Sequence, residues 1–225
     1  MFEKQPQEIQ QKVKFLANKY LGQSDPSGWF EVLYAEAQSD TTQVPWARSG
    51  THPHLQDWLD SHCHQSEGLS ALVIGCGLGD DAEGLQNMGF QVTAFDISST
   101  AINWCKQRFP NSQVDYLVAD LFALPREWDG AFDLVIESRN IQALPLNVRS
   151  QAINSVGKLV KKAGRLLIIT RLRENDLEPN GPPWALSERE IAEFHVLNLQ
   201  EIRRKVFLEG DNREVTKLWI EYRKN

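Results

Sequence analysis

No run in the 225 residues reaches the ~18 consecutive apolar positions that a membrane-crossing helix requires. The first fifteen residues, MFEKQPQEIQQKVKF, hold no apolar signal-peptide core, so a cytoplasmic protein is expected. Cysteine is scarce: Cys63, Cys76 and Cys105 are odd in number and show no C-x-x-C spacing. That argues against a disulfide framework and fits free thiols in a reducing compartment. Basic excess is missing too. Twenty-four Lys and Arg against thirty Asp and Glu give a net charge of −6, the wrong balance for a general nucleic-acid binder. One local exception, seven Lys/Arg and no acid from Arg149 to Arg173, reads as a solvated helix face followed by a strand end. Internal repeats and low-complexity linkers are absent. What remains is ordinary globular composition, 41% hydrophobic and 24% charged, at single-domain length.

The N-terminal part is helical in pattern. Ile9, Val13, Leu16 and Tyr20 give helical spacing over 5–20, a turn follows at Ser24-Asp25-Pro26, and further helices are expected at 28–37 and about 53–61, with a loop around Pro45-Trp46 between them. From residue 70 the pattern changes. Apolar runs at 72–75, 92–95, 116–119, 133–136 and 166–169 alternate with helical segments at about 81–88, 99–109 and 147–162. Short β-branched runs between amphipathic helices read as βαβ units in a parallel sheet covered on both faces. Asp80 with Glu83, and Ser187 with Glu190, have capping-box spacing. Lys161-Lys162-Ala163-Gly164 reads as a helix end with a glycine stop. The strand-like segments 197–208 and 215–223, joined by a Glu-Gly-Asp-Asn turn at 209–212, make a terminal antiparallel hairpin. The expected fold is α/β: a doubly wound, seven-stranded, mostly parallel Rossmann-like sheet with that hairpin, in one domain. Residues 1–69 form a helical cap and lid; 70–225 form the core.

Between the first strand and the following helix lies ALVIGCGLGDDAEGL, residues 71–85. Gly75-x-Gly77-x-Gly79 departs from the dinucleotide fingerprint, and no Lys-Ser/Thr follows to make a P-loop. No Lys or Arg occurs between Arg48 and Lys106, whereas a pyrophosphate needs positive potential at a helix start. S-adenosylmethionine has no phosphate, and its sulfonium and ammonium tolerate Asp80 and Asp81. Gly75 and Gly77 let backbone approach it, with Cys76 lending main chain between them. Asp96, ending the second strand beside Ile97, is positioned for the ribose hydroxyls. Asp120, ending the third, is positioned for the adenine amine, with Leu121 and Phe122 against the ring. All lie at carboxyl ends of strands, where open α/β sheets bind ligands.

These residues, with the hairpin, resemble the class I S-adenosylmethionine-dependent methyltransferases over about 70–225. Trp29, Pro45-Trp46 with Gly50 and Pro53, FDLVIES (132–138), QALP (142–145) and GPPWALSEREI (181–191) extend the resemblance to the thiopurine/thiol methyltransferase-like branch over nearly the whole chain. The resemblance implies that the Trp29 and Trp46 region folds over the adenosyl group as a lid. It also marks two departures: Ala47 stands where the branch commonly has Asp, and Ser138 separates Glu137 from Arg139.

Methyl transfer is an in-line displacement at an activated carbon, in which positioning dominates. Glu137 is the candidate to hold the methionine ammonium or take a proton, and Arg139 the candidate to hold an anionic or carboxylate-bearing acceptor. The absence of an N-P-P-Y-like motif weakens a nucleic-acid base as acceptor. His52, His54, His62, Cys63 and His64 crowd together without the usual metal-ligand spacing, so no metal is expected. Trp58, Trp104 and Trp219 are assigned to the core. The expectation is a monomeric or homodimeric methyltransferase of a small molecule, thiol first, that turns S-adenosyl-L-methionine into S-adenosyl-L-homocysteine, with no nucleic-acid or membrane partner. Other acceptors stay open: a small O- or N-nucleophile, tellurium and related oxyanions, RNA or protein. So do a binding protein without turnover and, last, a nicotinamide oxidoreductase.

Overall fold

The apolar runs from residue 70 onward assemble into one sheet. The computed structural model describes residues 7–23, 25–62, 66–175, 177–209 and 215–225. Along the chain come α1 (Gln7–Leu21), α2 (Gly28–Ala37), α3 (Pro53–His62), β1 (Ser70–Ile74), α4 (Asp80–Asn87), β2 (Gln91–Asp96) and α5 (Ser99–Arg108). Then follow β3 (Asp115–Val118), β4 (Phe132–Ser138), α6 (Arg149–Leu159), β5 (Val160–Arg171), α7 (Glu188–Val196), β6 (Leu199–Glu209) and β7 (Val215–Lys224). The strand order is β3-β2-β1-β4-β5-β7-β6. β1 to β5 run parallel, and β7 runs antiparallel to both β5 and β6, between which it inserts. This is the seven-stranded Rossmann-like sheet that the alternation predicts.

Side-chain alternation divides the core. Leu72, Ile74, Val135, Leu166 and Ile168 face α6 and α7. Ala71, Val73, Leu134, Ile136 and Leu167 face α3, α4 and α5 together with Trp58 and Trp219. Both faces of β1, β4 and β5 are therefore covered, which is why those strands read as unbroken apolar runs. Trp104 is likewise buried, packed with Tyr34, Val44 and Leu78. α7 begins with the predicted capping box: the Ser187 hydroxyl accepts from the Glu190 N–H, and Glu190 accepts from the Ser187 N–H.

Two local expectations are corrected. Asp80 does not cap α4; Gly79 does, at φ 90°, and Asp80 is the first helical residue. Its carboxylate accepts from the Gly50 N–H (3.0 Å) and pairs with Arg108 (2.7 Å). The segment 161–164 is not a helix end. α6 stops at Leu159 and β5 starts at Val160, pairing with Phe132. Lys161 meets Asp133 at 2.8 Å, and the left-handed residue is Ala163, at φ 63°. Tertiary pairing overrides the local glycine signal there. Residues 210–212 of the turn at 209–212 lie outside the described residues, as do Ser24, Cys63 and His64.

The basic run from Arg149 to Arg173 is not one solvated face. Arg149 is 2% exposed and paired with Glu190, Arg165 pairs with Glu221, and Arg173 pairs with Glu190. Among the described residues no helix is long and apolar enough to cross a membrane.

Candidate active site

The strand order reverses between β1 and β4, and the carboxyl ends of the strands open there onto a cavity of about 480 Å³. The loop after β1 forms its floor. Gly75 and Gly77 have φ of 54° and 56°, a region that β-carbons disfavour. A Cβ at Gly75 would stand 1.9 Å from Asn140 Oδ1. Asn140 cannot easily retreat, because its Nδ2 donates to the Ile74 carbonyl at 2.7 Å. The two halves of the sheet are thereby latched at the switch point.

Asp96 ends β2 and is buried. Its Oδ2 accepts from the Gly77 N–H and its Oδ1 from the Ser98 N–H, both at 2.9 Å, while burial pushes its carboxyl up to about 6. Ile97 lines the cavity beside it. Asp120 lies two residues past the end of β3, accepts from the Phe122 N–H at 2.9 Å, and lines the cavity with Leu121 and Phe122. Cys76 donates its backbone N–H to the Phe95 carbonyl at 2.8 Å. Hydrogen bonding to Cys105, together with burial, holds its thiol well above the usual range, which disfavours the thiolate. Gly79 sits beneath, where a Cβ would meet Tyr116 Oη at 2.6 Å.

Aromatic side chains from α2 and the loop after it cover this floor. Trp29 is 2% exposed, packs with Val13, Leu33 and Trp184, and donates its indole N–H to the Pro26 carbonyl. Trp46 donates its indole N–H to Tyr34 Oη at 2.6 Å. Its ring meets Trp29, Phe30 and Tyr34 edge-on, with centroids 5.9, 5.7 and 5.8 Å away. Both tryptophans line the cavity. Sequence reasoning missed Glu31, whose carboxylate accepts from Ser98 Oγ (2.7 Å) and Thr100 Oγ1 (2.5 Å) and so ties α2 to the start of α5.

The acidic pair after the glycines serves the same covering loop. Asp80 holds the Gly50 N–H, Asp81 holds the His52 N–H at 2.6 Å, and Arg48 approaches Asp81 at 3.8 Å. Sequence distance concealed these cations: Arg108 comes from α5 and Arg48 from the loop. A phosphate is still disfavoured at this helix start, because both arginines face carboxylates.

Glu137 and Arg139 separate. Glu137 shares the sheet face of Val135, is fully buried, and is not among the residues lining the cavity. Its Oε1 accepts from the Asn140 (2.6 Å) and Ile141 (2.9 Å) N–H groups, its Oε2 has no partner, and burial pushes its carboxyl up to about 7. Through these bonds Glu137 shapes the turn 138–141. Arg139, two residues on, faces the cavity with a left-handed backbone (φ 68°). Its Nη2 donates to the Trp46 carbonyl at 3.4 Å and its Nε has no partner. Burial, then repulsion from Arg48, lowers it to about 10.

Three more cavity residues were given no site role by sequence reasoning. Arg171 ends β5, and Lys217 stands directly opposite it on β7. Burial, then repulsion from Arg139, Arg171 and Arg48, lowers Lys217 to about 8. The rule that ligands bind at carboxyl ends of strands, applied to LLIITR, points to Arg171. His52 is buried, and desolvation with nearby Arg48 lowers it to about 2. Its Nδ1 accepts from the His54 N–H at 3.2 Å, which leaves the proton on Nε2. Among the described residues no group of acids, histidines and cysteines is arranged to hold a metal.

Comparison with known proteins gives concordant matches. A family model described as thiopurine S-methyltransferase matches residues 36–220. A probable thiopurine S-methyltransferase of Yarrowia lipolytica is 23% identical over 188 residues, covering 72% of this chain and 85% of its own. A probable thiol methyltransferase of Arabidopsis thaliana is 28% identical over 189 residues, covering 80% of this chain and 76% of its own. Among solved structures, the magnesium protoporphyrin IX methyltransferase of Synechocystis, with S-adenosylhomocysteine bound, superposes with a TM-score of 0.67. It is 17% identical and covers 87% of this chain and 98% of its own, a likeness of fold.

Proposed function

Because the chain belongs to the thiopurine S-methyltransferase family of S-adenosylmethionine-dependent methyltransferases, we propose that it methylates the sulfur of a small thiol. When bound, S-adenosylmethionine supplies a methyl group activated on a positive sulfur, and its product is S-adenosylhomocysteine. The residues fit that cofactor: a side-chain-free floor at Gly75 and Gly77, a buried carboxylate at Asp96, and Asp120 with Leu121 and Phe122 beyond β3. Asp96 holds the ribose, Asp120 the adenine amine, and Trp29 and Trp46 cover the adenosyl group.

One observation carries the thiol: the acceptor end is rich in cations and poor in bases. His52 has its lone-pair nitrogen occupied by the His54 N–H. Glu137 is off the cavity wall, and Asp81 is held by His52 and Arg48. At pH 7 Lys217, at about 8, is mostly an ammonium and a donor. Among the described residues of this end, the groups that could take a hydroxyl's proton are engaged elsewhere: Asp80 by Gly50, Asp81 by His52 and Arg48, and His52 by His54. A thiol, with a free pKa of about 8.5, ionises readily beside Arg139 and Lys217. The thiolate then attacks the methyl carbon in line, and the electron pair of the breaking carbon–sulfur bond returns to the cofactor sulfur.

A matched acceptor pair tests this. With S-adenosylmethionine, thiophenol is expected to be methylated about a hundredfold faster in kcat/KM than phenol, and the rate to rise with pH as thiolate forms. Equal or faster methylation of phenol overturns the thiol assignment.

A further inference from the structure

At its methionine end S-adenosylmethionine has one hydrogen-bond donor. The sulfonium carries no proton and the carboxylate only accepts, so the ammonium alone seeks acceptors there. The floor after β1 is main chain, and one side chain of matching polarity stands against it. Asn140 lines the cavity, and its neighbours fix which way its amide points. Nδ2 donates to the Ile74 carbonyl at 2.7 Å and to the Ser138 carbonyl at 3.3 Å, which uses both of its protons. Oδ1 is thereby turned the other way, to the place that a Cβ on Gly75 would fill. It accepts from none of the described residues, and it is not shut away from the cavity as the Oε2 of Glu137 is.

The amide is anchored on both sides. The Asn140 N–H donates to Glu137 Oε1 at 2.6 Å, and the Arg139 N–H donates to the Ile169 carbonyl at 2.8 Å. Arg139 keeps a left-handed backbone, φ 68°, inside this frame. Such a conformation in a residue other than glycine persists only where the surroundings over-determine it, and it gathers at functional sites. An acceptor held this firmly loses little freedom when a ligand arrives.

We propose that Asn140 Oδ1 accepts a hydrogen bond from the ammonium of the cofactor's methionine moiety, and that this one amide selects a cofactor bearing an amino group. The assignment rests on the cofactor lying over Gly75 and Gly77 as proposed. Glu137 serves the same contact from behind the wall, through the N–H of Asn140.

Calorimetry on the intact protein tests this with two ligands. One is S-adenosylhomocysteine; the other is its deaminated analogue, 4-(5′-deoxyadenosin-5′-ylthio)butanoate, which keeps the carboxylate and lacks the amine. Wild type is expected to bind S-adenosylhomocysteine at least about tenfold tighter than the analogue. Asn140→Ala is expected to lower that ratio by about fivefold or more, while affinity for the analogue changes by less than about threefold. Asn140→Asp loses the same Nδ2 bonds but keeps an oxygen toward Gly75, so its ratio is expected to equal or exceed that of wild type. Both variants lose the bond to Ile74 and are expected to melt earlier without ligand. A purely structural Asn140 would move their melting temperatures and leave both ratios at the wild-type value. A wild-type ratio near one, or an unchanged ratio in a folded Asn140→Ala protein, overturns the assignment. Should Asn140→Ala fail to fold, an Asn140→Asp ratio below that of wild type overturns it. Asp96→Ala separates this failure from failure of the cofactor placement, since it is expected to weaken both ligands alike and keep their ratio. If it does so while the Asn140 variants leave the ratio unmoved, the placement stands and the Asn140 assignment falls. If Asp96→Ala leaves both affinities untouched, the placement falls and takes the assignment with it.

Discussion

The two ends of the cavity are made of different material. At the end we assign to the cofactor the wall is main chain: Gly75, Cys76 and Gly77 offer peptide groups, and the carboxylate of Asp96 is held by two backbone N–H groups. At the end we assign to the acceptor the wall is side-chain charge: Arg48, Arg139, Arg171 and Lys217 arrive from a loop and the ends of three strands. A backbone cradle is contiguous in sequence and tolerates almost no substitution. A charge cluster is assembled from distant segments, and each member can change while the fold survives. One end therefore fixes the chemistry, and the other is free to tune the acceptor.

Substitution of the floor gives the hardest test of that contrast. Gly75→Ala forces a β-carbon into a left-handed position and onto Asn140, whose amide holds the Ile74 carbonyl. A loss of about 2–3 kcal/mol in stability is expected from strain and the broken latch, and S-adenosylhomocysteine affinity is expected to fall by about a hundredfold or more. Urea denaturation and calorimetry measure the two. A Gly75→Ala protein that binds normally would show that the loop can yield, and the backbone cradle would lose its special status.

Glu137 sharpens the boundary between the ends, because it lies under the acceptor turn without touching the cavity. Burial raises its carboxyl from the ordinary 4.5 to about 7. Between those values the folded protein keeps a proton that the unfolded chain releases. The contribution is fully present below about pH 4.5 and is lost as pH rises through about 7, on the order of 3 kcal/mol. Glu137→Gln keeps an oxygen for the Asn140 and Ile141 N–H groups and is expected to flatten most of that decline in urea midpoints between pH 4.5 and 8. Asp96, raised to about 6, leaves a smaller slope of the same sign. An unchanged slope in Glu137→Gln sinks the assignment. Loss of turnover with cofactor affinity and stability intact would return Glu137 to the chemistry.

At Asp96 the expected effect is somewhat smaller. Asp96→Ala removes a charged acceptor and frees the Gly77 and Ser98 N–H groups, so S-adenosylhomocysteine affinity is expected to fall by roughly 1.5–3 kcal/mol. Unchanged affinity by calorimetry would reduce Asp96 to a loop brace.

How much of this was legible follows from the same contrast. The sheet, its hairpin and the glycine floor depend on local periodicity and contiguous motifs, and sequence reasoning reached them. Arg139 was reachable because it follows a strand that points into the switch. Arg171 and Lys217 were not connected, because only the insertion of β7 between β5 and β6 sets them opposite one another. Asp80 was misread as a cap for a related reason: its partners Arg108 and Gly50 lie about thirty residues away. Burial of Glu137 followed from strand alternation, which puts it on the face of Val135 rather than of Ile136, and could have been inferred.

Trp46 is where the two ends meet, and its expected effect is the smallest. From the loop sequence alone it has no element of its own to pack on, so its removal would leave the ligand-free protein untouched. In the fold it leans edge-on against three aromatic rings of α2 and donates to Tyr34, while its carbonyl accepts from Arg139. A half-buried tryptophan with such contacts stabilises the free protein as well, by about 1–2 kcal/mol. Trp46→Ala is therefore expected to lower the ligand-free melting temperature by several degrees. If Trp46 also covers the adenosyl group, the gain in melting temperature on saturating with S-adenosylhomocysteine shrinks in the variant. Trp46→Phe keeps the edge contacts and loses the indole N–H, so it is expected to recover most of the ligand-free loss. A Trp46→Ala protein with the wild-type ligand-induced gain would leave the residue a strut between α2 and Arg139, with no part in covering the cofactor.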